Sequence, residues 1–184
     1  MTQRFAELPR PRTLVHPGPV GRVRIEHAHA PQGRHFRLSL PAGGTLFDAL
    51  VQALQQQGVR AASMTLIDGA LHDLHYCLAE PDTSGRAVAR YSHPLHVPSA
   101  RFIFGNATLG LSPAGAPVVH CHGVFRLPDG RVRGGHLLTE RTRVGEVPVT
   151  VLATALDGIE LRIGFDEETR MPLLRPRAEE AAHA

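Results

Sequence analysis

Pro117-Val118-Val119-His120-Cys121-His122-Gly123-Val124-Phe125-Arg126-Leu127-Pro128-Asp129-Gly130-Arg131-Val132-Arg133-Gly134-Gly135-His136-Leu137 reads as two strands joined by a tight turn. Side chains two apart on a strand share a face, so His120 and His122 point one way and Cys121 the other. Leu127-Pro128-Asp129-Gly130-Arg131 fits a type I turn followed by a left-handed Gly, a three-residue hairpin loop that pairs Leu127 with Arg131. Counting five residues outward along each arm sets His122 opposite His136, and opposed residues share a face. The spacing therefore predicts three converging imidazoles, provided that Gly134-Gly135 does not insert a bulge.

Three imidazoles in this arrangement suit Zn²⁺ or a similar divalent ion and leave a coordination position open. The alternative is three polar strand residues facing solvent or a subunit interface. Around them, Gly134 and Gly135 leave room for a ligand or a backbone to approach, and Asn106 is either a pocket residue or a turn former after Gly105. Cys121 belongs to the core. His72 and His75 alternate on their strand and cannot both join one cluster. His93 and His96 fall in a proline-containing loop. No catalytic residue is assigned. H-E-x-x-H, G-x-S-x-G and P-loop patterns are absent from the sequence.

Working outward, Phe36, Leu38 and Leu40 alternate as a half-buried strand. Thr45 can N-cap a helix whose apolar positions are Leu46, Phe47, Leu50, Val51, Ala53 and Leu54, stopped by Gly58. Strand signals dominate after residue 61. Asp68-Gly69 is a turn dipeptide, and residues 80–86 read as a loop. Arg101 to Gly105 carries a strand. A second hairpin is expected at Asp157-Gly158, between Val147–Ala155 and Ile159–Phe165. The pattern predicts one α/β (α+β) domain, a mainly antiparallel sheet packed with one main helix. Residues 1–20, rich in Pro and Arg, read as a flexible arm, 21–168 as the domain, and 169–184 as a flexible C-terminal tail.

Composition sets the remaining bounds. The chain has 184 residues, 42% of them hydrophobic, enough for one domain with a real core. Its formal charge of +3 is too small to demand nucleic acid as a partner. All its basic residues are Arg. Two cysteines are too few for a disulfide framework and read as buried free thiols, which suits the cytoplasm. No apolar leader or bilayer-length segment occurs, so the reading is soluble, cytoplasmic and without a membrane role.

The H-x-H, the Asp-Gly turn and the Gly-Gly-His that follows resemble the signature of the plants-and-prokaryotes-conserved (PPC) domain. The likeness extends over roughly residues 20–168. It implies a largely antiparallel α/β fold, usually a homotrimer, and places the motif histidines at His120, His122 and His136, where some relatives hold a metal. Plant members pair the domain with a DNA-binding AT-hook, which this chain lacks. They also carry a protein-contact segment of which only Arg101 and Phe102 are kept. Three functions follow as expectations: a trimeric metal-binding module acting on a small ligand or protein partner, a DNA-binding regulator, and, behind these, a zinc-dependent hydrolase or lyase.

Overall fold

The computed structural model describes residues 14–30 and 32–178. The strands are β1 (His35–Leu40), β2 (Ala62–Ile67), β3 (Ala70–Cys77), β4 (Ala79–Pro81), β5 (Ala89–Tyr91), β6 (Leu95–Leu111), β7 (Pro117–Arg126), β8 (Val132–Leu137), β9 (Arg143–Val144), β10 (Val149–Ala155), β11 (Ile159–Asp166) and β12 (Met171–Ala178), with one helix, α1 (Leu46–Gln55). The main sheet runs β1-β10-β2-β6-β7-β8-β3-β9, with antiparallel neighbours throughout this path. The fold is the expected one: a single domain, a mostly antiparallel sheet and one main helix.

The helix forms where its local chemistry says it should. The Thr45 hydroxyl accepts from the Asp48 amide and donates to the Asp48 carboxylate. The next orphan donors are met from outside, Leu46 N–H by Thr142 O and Phe47 N–H by Thr139 O. At the other end Gly58 takes φ +68°, and the amides of Gly58 and Val59 close on Gln55 O and Leu54 O as a Schellman motif. Leu46, Leu50 and Leu54 are fully buried against the sheet, each contributing about 1.5–3 kcal/mol of apolar transfer.

The longest strand organises the sheet. On one edge β6 pairs with β3 through its first part and with β2 through its second, while its other edge pairs with β7. Because β8 joins β7 to β3, the run β6-β7-β8-β3 closes on itself. Phe102, Phe125, Leu137 and Leu74, all at most 1% exposed, fill this closed part. One extra residue, Ile103, bulges β6 against β7, and so Phe102 is buried while Phe104 is exposed.

Several boundaries differ from expectation, each for a tertiary reason. His93 and His96 read as parts of one proline-containing loop, yet only His93 lies in it: β6 begins at Leu95, because β3 offers it an edge. The loop expected at 80–86 is displaced to 82–88, since Ala79–Pro81 is strand β4, paired with β5. Asp157-Gly158 turns the chain but makes no hairpin. Both edges of β10 are taken, by β1 and β2, so β11 leaves to pair with β12 and touch β6. The flexible tail expected from residue 169 is therefore corrected: Met171–Ala178 is strand β12, and 179–184 lie outside the described residues.

At the other terminus, residues 1–13 of the expected arm also lie outside the described residues, while 14–20 are tied down. His16 Nδ1 lies 2.7 Å from Glu168, Gly18 N–H donates to Glu168 O, and Arg24 donates to the same carboxylate. Among the described residues no helix is long and apolar enough to cross a membrane.

Candidate metal centre

Turn and register hold as the residues imply. Gly130 adopts φ +85°, its amide donates to Leu127 O, and Leu127 N–H donates to Arg131 O. From there β7 and β8 pair without a shift, setting Val124 opposite Gly134, Gly123 opposite Gly135 and His122 opposite His136. On the far side of β7, Asn106 faces His122 and Thr108 faces His120. Asn106, His122 and His136 thus form one row across three strands. Asn106 is exposed in mid-strand, 3.4 Å from the Thr65 hydroxyl, so it is not a turn former, and β6 runs on through Gly105.

The three rings meet. Centroids are 4.8 Å apart for His120–His122, 4.8 Å for His120–His136 and 5.2 Å for His122–His136. The Nε2 atoms of His120 and His122 stand 3.0 Å apart, and one nitrogen from each of the three residues lies within 4.8 Å of the others. A tetrahedral ion with Zn–N bonds of about 2.0–2.1 Å spaces its ligands by ~3.3 Å, so the cluster is of the right size and slightly open.

Electrostatics favour the same reading. Burial, then repulsion from His120 and His122, pushes the His136 imidazole down to about 4. His120 is lowered by burial and by His122. Both shifts favour the neutral form of His120 and His136, the state in which imidazole binds a metal. Nδ1 of His136 is buried with no hydrogen-bond partner among the described residues, an expense normally avoided. A donor set of three imidazoles with one orphaned nitrogen fits a borderline divalent ion.

The surroundings sort the other candidates. A Cβ on Gly135 would stand 2.5 Å from Cys77 O, and one on Gly134 would stand 3.0 Å from Gly123 O. The room at both glycines is therefore filled by neighbouring strand backbone. Phe102, expected as a protein-contact residue, is 1% exposed beneath Gly123, which corrects that expectation; Arg101 is exposed and pairs with Asp68 through both carboxylate oxygens.

Cys121 is fully buried on the opposite face, and burial pushes its thiol up to about 12. His72 lies 2.8 Å from Glu146, whereas the His75 ring packs on His96 at 4.6 Å, so neither joins the cluster. Asp73, between them, takes φ +45° and breaks the alternation, so Leu71 and Leu74 both face the core. Tyr91 was not foreseen. Its ring, on β5, packs on the His136 ring at 4.9 Å, a contact between residues far apart in sequence that no local pattern announces.

The fold and site together define a class: a single-domain, mainly antiparallel α+β protein with a three-histidine cluster that can chelate a metal. The sequence profile of the Plants and Prokaryotes Conserved (PCC) domain matches residues 27–155, and the chain belongs to that family. No curated protein matches it in sequence.

Among solved structures it is similar to a protein from Salmonella enterica described as hypothetical (19% identity, TM-score 0.65, covering 84% of this chain and 100% of that one). It is similar also to a metal-containing protein from Archaeoglobus fulgidus (20%, 0.61, 83% and 99%). A third is a candidate DNA-binding protein from Ralstonia eutropha (18%, 0.58, 75% and 88%). At these identities the likeness concerns the fold.

Proposed function

We propose that the protein is a trimeric metal-binding module in which His120, His122 and His136 hold a divalent ion, Zn²⁺ by preference, and present its open position to a small ligand or protein partner. The observation that carries this reading is the three-ring cluster with its orphaned, neutral His136 nitrogen. The trimer rests on the family resemblance. A cytoplasmic location is supported by two cysteines that are free and buried. The ion would act there as a Lewis acid toward whatever occupies its open position. Among the described residues no carboxylate joins the cluster, and hydrolase or lyase chemistry is assigned to no residue.

The test is metal analysis of the native protein beside His122→Ala, with mass measured by sedimentation. The native chain should carry about one divalent ion per subunit and the variant far less, because removing one of three ligands leaves a two-imidazole site. Equal metal content in both would sink the reading.

A DNA-binding role is the second reading, supported by the Ralstonia relative's name and the all-Arg basic set. It requires duplex binding that weakens steeply with salt, since phosphate contacts release counterions. Absence of such binding at low ionic strength removes it.

A further inference from the structure

A groove of about 390 Å³ opens beside the histidine cluster, and His120 belongs to both. One wall comes from the sheet, through Val118 and His120 of β7. The other comes from the β11–β12 ribbon, through Leu161, Ile163, Leu173 and Leu174. The ribbon follows the segment that the family profile matches, which ends at residue 155. It can sit so close because Gly110 lacks a side chain: a Cβ there would lie 2.7 Å from Leu161 O and 2.8 Å from a Leu174 methyl. Gly110 pairs with Val118 and Thr108 with His120, so the ribbon seats on the face of the sheet that carries the histidines and stops short of them.

Two chemistries therefore adjoin. The walls are almost wholly aliphatic, which favours an apolar body. The cluster offers only imidazole donors, which coordinate a metal in their uncharged form, and no carboxylate among the described residues, so a bound divalent ion would keep both its charges uncompensated and favour an anionic ligand. From this we infer that the site takes a small amphiphilic carboxylate, its carboxylate directed to the ion and its hydrocarbon body laid along the groove between β7 and the β11–β12 ribbon. This rests on the metal reading and adds the class of ligand. The ribbon residues set the preference for the body; His120 joins the two halves.

The experiment uses the full chain loaded with Co²⁺, whose visible spectrum reports ligation directly, titrated with octanoate and with acetate. Octanoate should perturb the spectrum at a concentration about tenfold or more below acetate, equivalent to burying roughly two methylenes. Leu173→Asp, at a residue 41% exposed, should fold normally, keep its cobalt and respond to octanoate within about twofold of acetate. Ile163→Ala should weaken octanoate alone. If cobalt loads but the two carboxylates act alike, the groove plays no part and the inference falls while the metal reading stands. If cobalt does not load, both fall. If octanoate has no advantage and Leu173→Asp lowers the mass in sedimentation, the groove belongs to a second copy of the chain and the inference is overturned.

Discussion

Gly135 presses against the main chain of Cys77, with only 2.5 Å between the Cys77 carbonyl oxygen and the place a Cβ would take. This contact lets β8 lie against β3, where Cys77 pairs with His136, and so holds the third histidine beneath Tyr91. A methyl group there must push strand backbone, not a flexible side chain. Gly135→Ala is expected to destabilise the protein by about 1–3 kcal/mol and to weaken metal retention with it. Urea unfolding read beside metal content checks both; an unchanged midpoint would mean that the strands can part at no cost.

The hairpin loop tests a different kind of glycine. Gly130 has open space around it but a left-handed backbone. Gly130→Ala should therefore cost about 1–2 kcal/mol through conformation alone. Since the loop lies well away from the rings along the hairpin, metal content at saturating ion should match wild type. Loss of metal in a folded Gly130→Ala protein would show that the turn governs the site directly.

Cys121 is enclosed on the core side of β7. With its thiol pushed up to about 12 by burial, it has almost no thiolate at pH 8. The native protein should react slowly with an aromatic disulfide reagent and quickly once unfolded, and Cys77, 5% exposed, should be similarly protected. Cys121→Ser should cost about 1–3 kcal/mol if its buried hydroxyl finds no strong partner. Rapid modification of Cys121 in the folded protein would contradict the packing described.

His136 makes the metal-free protein sensitive to acid. Its folded value of about 4 lies below the ordinary 6.5, so between these two values the unfolded chain binds more protons. The contribution is complete above about pH 6.5 and is lost as pH falls toward 4. Unfolding free energies of the metal-free wild type and of His136→Gln, measured from pH 7 to pH 4, should diverge in slope, with wild type losing more. Parallel curves would refute the origin assigned to the shift.

Much of the centre was legible in the residue order, because what sets it is local. A turn with a left-handed Gly fixes the pairing of the strands it joins, and a period of two then carries His122 to His136. The α1 caps are local in the same sense: Thr45 and Gly58 act within a few residues of their own positions. Cys121 falls in the core by alternation alone.

The rest depends on which edges are left free and what lies over them. Only the assembled sheet shows that β10 has no edge for β11, so that the chain after Asp157 becomes a ribbon on β6 instead of a hairpin and a tail. Only the bulge at Ile103 decides that Phe102 is core and Phe104 surface. Strand pairing brings Asn106 level with His122 and Cys77 level with His136, and β5 lays Tyr91 on the His136 ring. These contacts join residues tens of positions apart, where no short-range period operates. The three histidines were thus determined by the sequence of one hairpin, while the Tyr91 ring on His136 and the groove beside His120 were decided by packing between distant strands.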